Sequence, residues 1–79
     1  MTIEQAKRSS EQVTNVSNVT YDLIATFHNA LEGVGAMEAY RQDAEQSGDR
    51  EVADCFDRLI QRQTKDLDDI RQLLAERIS

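Results

Sequence analysis

Two long stretches of this sequence carry apolar residues at spacings of one, three and four, and a short polar segment separates them. Such spacing places the apolar side chains on one broad stripe of an α-helix. The pattern predicts an all-α chain with helices over about residues 20–47 and 50–78. The first stripe contains Leu23, Ile24, Phe27, Ala30, Leu31, Val34, Met37, Tyr40 and Ala44. The second contains Val52, Cys55, Phe56, Leu59, Ile60, Leu67, Ile70, Leu73, Leu74 and Ile78.

The segment between the two stripes has the residues of a tight turn at positions 47–49. Gly48 suits the left-handed position that follows many helix ends. Asp49 suits the N-cap of the second helix. At the start of the first helix, Asn18 or Thr20 suits the N-cap and Asp22 the first turn. Helices joined by so short a turn run antiparallel, so we predict a helical hairpin.

The length of the chain predicts that this hairpin does not stand alone. Domains of fewer than about 80 residues usually need a disulfide, a metal or an oligomer. This chain of 79 residues has one cysteine and no Cys/His cluster, which leaves the oligomer. Two hairpins paired as a four-helix bundle would bury what one hairpin exposes. We predict a homodimer or higher oligomer whose core contains Phe27, Leu31, Val34, Phe56, Leu59, Leu67, Ile70 and Leu74.

The first 18 residues form a polar arm before the hairpin. Thr2 and Gln5 have the spacing of a capping box, which predicts a short helix from Ile3 to about Glu11. We expect residues 1–18 to be weakly ordered or short-helical.

The chain is acidic, with 15 acidic and nine basic residues and a net charge of −6. The basic residues are scattered along the sequence, and nucleic acids and anionic membranes require them clustered, so we expect neither partner. No apolar run reaches the roughly 20 residues of a membrane span. The N-terminus has no apolar secretory stretch, which predicts a cytoplasmic protein with Cys55 as a reduced, buried thiol.

Two polar residues interrupt the apolar stripes, Glu38 in the first and Gln63 in the second. Buried polar groups without partners are costly, so each needs a partner. We expect Gln63 to bond across the bundle and, with Glu38, to fix its register. For Glu38 we expect an ion pair with Arg41, Arg58 or Arg62.

Few residues offer chemistry beyond packing. His28 and Glu32 are four residues apart, so they share a helical face and could bind one cation together. Gly33 and Gly35 each weaken the helix by about 1 kcal/mol, which predicts a close helix approach or a kink there. Cys55 and His28 are too far apart in an antiparallel hairpin to act together. We therefore expect no catalytic residues.

Several segments resemble the short ferritin-like helical hairpins related to rubrerythrin and to encapsulated ferritins. They are Tyr21–Ile24, Ala30–Glu32, Tyr40, Asp43–Ala44, the turn at 47–51 and Leu73–Arg77. The resemblance implies a di-iron site built from a Glu on the first helix and a Glu-x-x-His on the second. Glu32 or Glu38 stands where the first Glu would be, and Gln63 and Asp66 stand where Glu and His would be. Because these replace the usual ligands, we expect a degenerate site and no cofactor.

Three functions remain open from the sequence. The first is a non-catalytic, self-associating hairpin that acts as a structural or interaction module and that could also bind another protein. The second is a metal-binding or di-iron oxidase bundle completed across the subunit interface, with Glu32, His28, Asp66 and Glu38 as ligands and iron as the metal. The third is an acidic adaptor for a basic protein partner.

Overall fold

A computed structural model of the chain describes Ile3 and residues 11–78. Helix α1 spans Asn18–Gln46 and helix α2 spans Arg50–Ile78, each of 29 residues. The two helices pack against each other and are joined by residues 47–49, and the described residues contain no strand. The all-α prediction is therefore confirmed over the described part of the chain. The molecule is only 13 Å thick along its shortest axis, close to the diameter of one helix.

Local hydrogen bonds explain where α1 begins. Ser17 is the N-cap, because its hydroxyl accepts a hydrogen bond from the backbone N–H of Thr20 at 3.1 Å. The prediction that Asn18 or Thr20 caps this helix is wrong, because the helix starts one residue after Ser17. For the same reason Asp22 lies beyond the first turn, which contains no acidic residue.

The turn follows from its three residues as the sequence predicts. Gly48 has φ of 78°, a left-handed conformation that glycine adopts without steric cost. The backbone N–H of Asp49 donates to the carbonyl of Ala44, which satisfies the end of α1. The carboxylate of Asp49 then accepts a hydrogen bond from the N–H of Val52 at 3.1 Å and caps α2.

The arm is described only in part. Residues 11–14 are helical, Asn15 has φ of 60°, and residues 15–17 connect to α1. The predicted capping box at Thr2 and most of the predicted helix from Ile3 to Glu11 lie outside the described residues. Ile3 and Val13 are exposed.

The contact between α1 and α2 is a seam whose residues alternate strictly between spacings of three and four. This spacing is the seam pattern of a coiled coil. Every residue of the seam is buried or half-buried. On α1 these residues are Thr20, Leu23, Phe27, Ala30, Val34, Met37, Arg41 and Ala44; on α2 they are Ala53, Phe56, Ile60, Gln63, Leu67, Ile70 and Leu74.

The seam is tightest beside the turn. Ala44 and Ala53 are 7% and 2% exposed, and they are the only buried apolar residues of the described chain. Both alanines lie within four residues of the turn at 47–49. The large seam residues farther from the turn are all half-buried.

Eight residues of the predicted apolar stripes lie outside the seam and are exposed, namely Ile24, Leu31, Tyr40, Val52, Cys55, Leu59, Leu73 and Ile78. The prediction of a buried Cys55 is wrong, because the residue is exposed on α2. Leu31 and Leu59, two of the eight residues predicted for a dimer core, are also exposed. The other six, namely Phe27, Val34, Phe56, Leu67, Ile70 and Leu74, lie in the seam between the two helices of one chain.

Candidate interaction surface

Two contacts near the turn show that the hairpin has two different faces. The rings of Tyr40 and Phe56 lie 5.8 Å apart, centroid to centroid. The guanidinium of Arg41 lies 3.5 Å from the carboxylate of Asp57. Since successive residues of a helix point about 100° apart, these two contacts lie on opposite sides of the seam.

We name the side of Tyr40 the Leu59 face. The face consists of one row of residues from each helix. Successive residues of a row are seven positions apart, a spacing that keeps the row on the same side of the seam. The row of α1 contains Val19, Thr26, Gly33 and Tyr40, and the row of α2 contains Val52, Leu59, Asp66 and Leu73.

The opposite side, which we name the Arg41 face, is more polar. Its rows contain Ile24, Leu31, Glu38 and Glu45 on α1 and Asp57, Thr64, Arg71 and Ile78 on α2. Half of these residues are charged, whereas Asp66 is the one charged residue in the rows of the Leu59 face.

The Leu59 face exposes large apolar side chains along both helices. Leu59 and Leu73 are 37% and 40% exposed, and Val19, Tyr40 and Val52 are exposed as well. Exposed apolar side chains gathered on one side of a small protein indicate an interaction site. This face is therefore the candidate functional site of the chain.

The Arg41 face is organised by one arginine and three carboxylates. Arg41 hydrogen-bonds to Glu38 and forms ion pairs with Glu45 at 2.7 Å and with Asp57. Of the three arginines predicted for Glu38, the structure selects Arg41. The hydrogen bond from Arg41 lowers the pKa of Glu38 below its ordinary value of 4.5. The same bond raises the pKa of Arg41.

The lowered pKa of Glu38 predicts a pH dependence of folding. A carboxyl group whose pKa falls on folding stabilises the folded chain at pH values above the pKa that the group has in the unfolded chain. This stabilisation is lost as the pH falls through the pKa that the group has in the folded chain. Glu38→Gln should therefore lower the free energy of unfolding at about pH 7. The difference from the parent chain should shrink below pH 4.5, the ordinary value for this group. Urea unfolding of both proteins measures it; a difference that stays constant with pH would contradict the prediction.

Gln63 lies in the seam, half-buried. Among residues 11–78 its side-chain amide has no hydrogen-bond partner within one chain. Its role, and that of Glu38, in setting the register of a bundle stays a prediction.

The four predicted metal ligands do not converge within the chain. His28 and Glu32 approach to 3.0 Å and are both largely exposed. Glu38 instead pairs with Arg41, and Asp66 lies in a row of the Leu59 face. Over the described ranges, no three His, Cys, Asp or Glu side chains are grouped so as to hold a metal ion. A metal site shared between two chains stays a prediction.

The two mid-helix glycines do not mark a close approach within the chain. A Cβ atom built on Gly33 or on Gly35 would meet no atom within 4 Å. Gly33 lies on the Leu59 face, whereas Gly35 lies on the outer surface of α1, next to the Arg41 face. The expected close approach is therefore not made by the hairpin's own second helix.

One feature of the surface was not predicted from the sequence. Arg58, Gln61, Arg62 and Lys65 line a shallow groove along α2. These basic residues look scattered in the sequence, but spacings of three and four bring them to one side of a helix. This basic segment is followed directly by the acidic residues Asp66, Asp68 and Asp69.

Neither α1 nor α2 contains a stretch long and apolar enough to cross a membrane, among the residues that the structure describes. Comparison of the chain with protein-family models, with curated proteins and with solved structures finds no significant match. The resemblance to ferritin-like hairpins stays a prediction. The described geometry is that of two packed helices whose Leu59 face is more apolar than the opposite face.

Proposed function

We propose that this protein is a non-catalytic helical hairpin that associates with itself into a four-helix bundle and acts as a structural or interaction module. Its mechanism is the burial of the exposed apolar face of each hairpin against a second hairpin. A single layer of two helices has no other layer against which to bury that face.

The amount of exposed surface is the observation that carries this proposal. The chain exposes 6086 Å² of accessible surface. A compact monomer of 9.0 kDa would expose roughly 4900 Å². The chain as a whole thus exposes about a quarter more surface than a compact monomer. Standard interfaces bury about 800 Å² from each partner. The surplus is large enough for one such interface.

The lack of a well-buried hydrophobic core within one chain supports the same proposal. Within the described residues only Ala44 and Ala53 are buried apolar residues, and no large side chain is fully buried. Each half-buried Leu, Ile or Phe gives up part of the roughly 1.5–3 kcal/mol that full burial would contribute. A second hairpin recovers that contribution.

The proposal predicts that folding depends on protein concentration. When only the associated form is stable, the midpoint of thermal unfolding rises with concentration by mass action. Circular dichroism at 222 nm, recorded over a hundredfold range of concentration, measures this midpoint. A midpoint that does not move would show that the hairpin folds as a monomer and would contradict the proposal.

A further inference from the structure

We propose that the second copy docks on the Leu59 face with its α2 antiparallel to the first α2, and that the twofold axis passes beside Asp66. This inference rests on the proposed self-association and adds the face, the direction and the register. It commits to a second copy of this chain as the occupant of the face.

The row of apolar residues on α2 is self-complementary about Asp66. Leu59 lies seven residues before Asp66 and Leu73 lies seven residues after it. When two copies of α2 run antiparallel about this point, Leu59 of each copy faces Leu73 of the other. A twofold interface of this kind repeats every contact twice, so four exposed leucines become buried together.

The neighbouring row of α2 supplies charge complementarity in the same register. Arg62 lies four residues before Asp66, and Asp69 lies three residues after it. The antiparallel register therefore brings Arg62 of each copy beside Asp69 of the other. Both side chains are exposed, and neither forms an ion pair with a residue of the described chain. The two ion pairs would flank the leucine contacts, where charge favours one register over others.

Gly33 lies close to the proposed axis on the other helix. Because the two helices run antiparallel from the turn, Gly33 on α1 lies at the same height along the hairpin as Thr64 on α2. Gly33 is thus about half a helical turn from the height of Asp66. The space beside it is open, since a Cβ there would meet nothing within 4 Å. A residue without a side chain at the centre of the face lets a second hairpin come close, as small residues do between helices.

The axis also places the two Asp66 carboxylates opposite each other. Like charges in contact weaken an interface. Replacing Asp66 therefore removes a repulsion and leaves the leucine contacts intact. This makes position 66 suitable for a probe.

The test compares two single-cysteine proteins under mild oxidation with oxidised glutathione. In Cys55→Ser/Asp66→Cys, the proposed register would make the two introduced thiols face each other at the axis, and a disulfide between them needs a Cα separation of about 4.4–6.8 Å. In the parent chain, Cys55 lies 11 residues from Asp66. The two copies of Cys55 are therefore about 33 Å apart along the antiparallel helices. The parent chain is the matched control.

We expect the Asp66→Cys variant to form covalent dimers roughly a hundredfold faster than the parent, because facing thiols reach effective concentrations on the order of millimolar. Non-reducing electrophoresis measures the rate, and sedimentation of the reduced proteins measures association independently. Covalent dimers that form equally fast in the parent chain and in the Asp66→Cys variant would overturn the inference. Association without linkage at position 66 would overturn it too, and would leave the proposed self-association standing. A Cys55→Ser/Leu59→Cys/Leu73→Cys variant provides the second readout. We expect a disulfide between position 59 of one copy and position 73 of the other.

Discussion

Glutamate at both Leu59 and Leu73 should weaken self-association by at least about a thousandfold, which corresponds to about 4 kcal/mol. Each substitution removes apolar surface from the Leu59 face, and each places a carboxylate where the second hairpin would desolvate it. The twofold axis doubles the effect, since every dimer carries four substituted sites. Sedimentation velocity over a range of concentrations measures the change.

The matched control for this variant carries glutamate at Ile24 and Leu31. These residues are also exposed apolar side chains of the hairpin, but they lie on the Arg41 face. The control adds the same charge to the chain, so it corrects for the general effect of two further acidic groups. We expect it to remain associated at concentrations where the Leu59 and Leu73 variant is dissociated. The reverse result would assign the interface to the Arg41 face.

Leucine at Ala53 should lower the free energy of unfolding by about 2 kcal/mol, within the range observed for overpacked cores. Ala53 is the least exposed apolar residue of the described chain, at 2%. It lies opposite Ala44, where the turn holds α1 and α2 together, so three added carbon atoms find no space without separating the helices. Chemical denaturation at one fixed protein concentration measures the loss.

Leucine at Ala39 is the control for this substitution. Ala39 is exposed on α1, and alanine and leucine differ little in helix propensity, so the free energy of unfolding should change by less than about 0.5 kcal/mol. An Ala53→Leu variant as stable as the parent would show that the helices are not closely packed beside the turn.

The two helices and the turn could be predicted from the sequence because their determinants are local. Gly48 and Asp49 act within a few residues of their own positions, and the absence of proline leaves each helix uninterrupted. The start of α1 was harder to predict, because Ser17, Asn18 and Thr20 are all common N-cap residues. Only the hydrogen bond from Thr20 to Ser17 distinguishes them.

The division of the apolar stripes into seam and face could not be predicted from the sequence. The stripe of each helix is broad, and Leu59 and Ile60 are equally apolar. Which of them turns inward depends on the pairing of the two helices, a non-local property. Cys55 shows the same limit, because its neighbour Phe56 takes the seam position and turns Cys55 outward. The basic groove around Arg58 likewise becomes visible only when the residues are placed on a helix.

The mass of the protein in solution tests self-association most directly. Sedimentation equilibrium of the unmodified chain at micromolar concentration gives this mass without reference to shape, which matters for a molecule with a long axis of 52 Å. Self-association predicts a mass of twice the 9.0 kDa of one chain, or a higher multiple. A folded, helical species with the mass of a single chain at every concentration would contradict it.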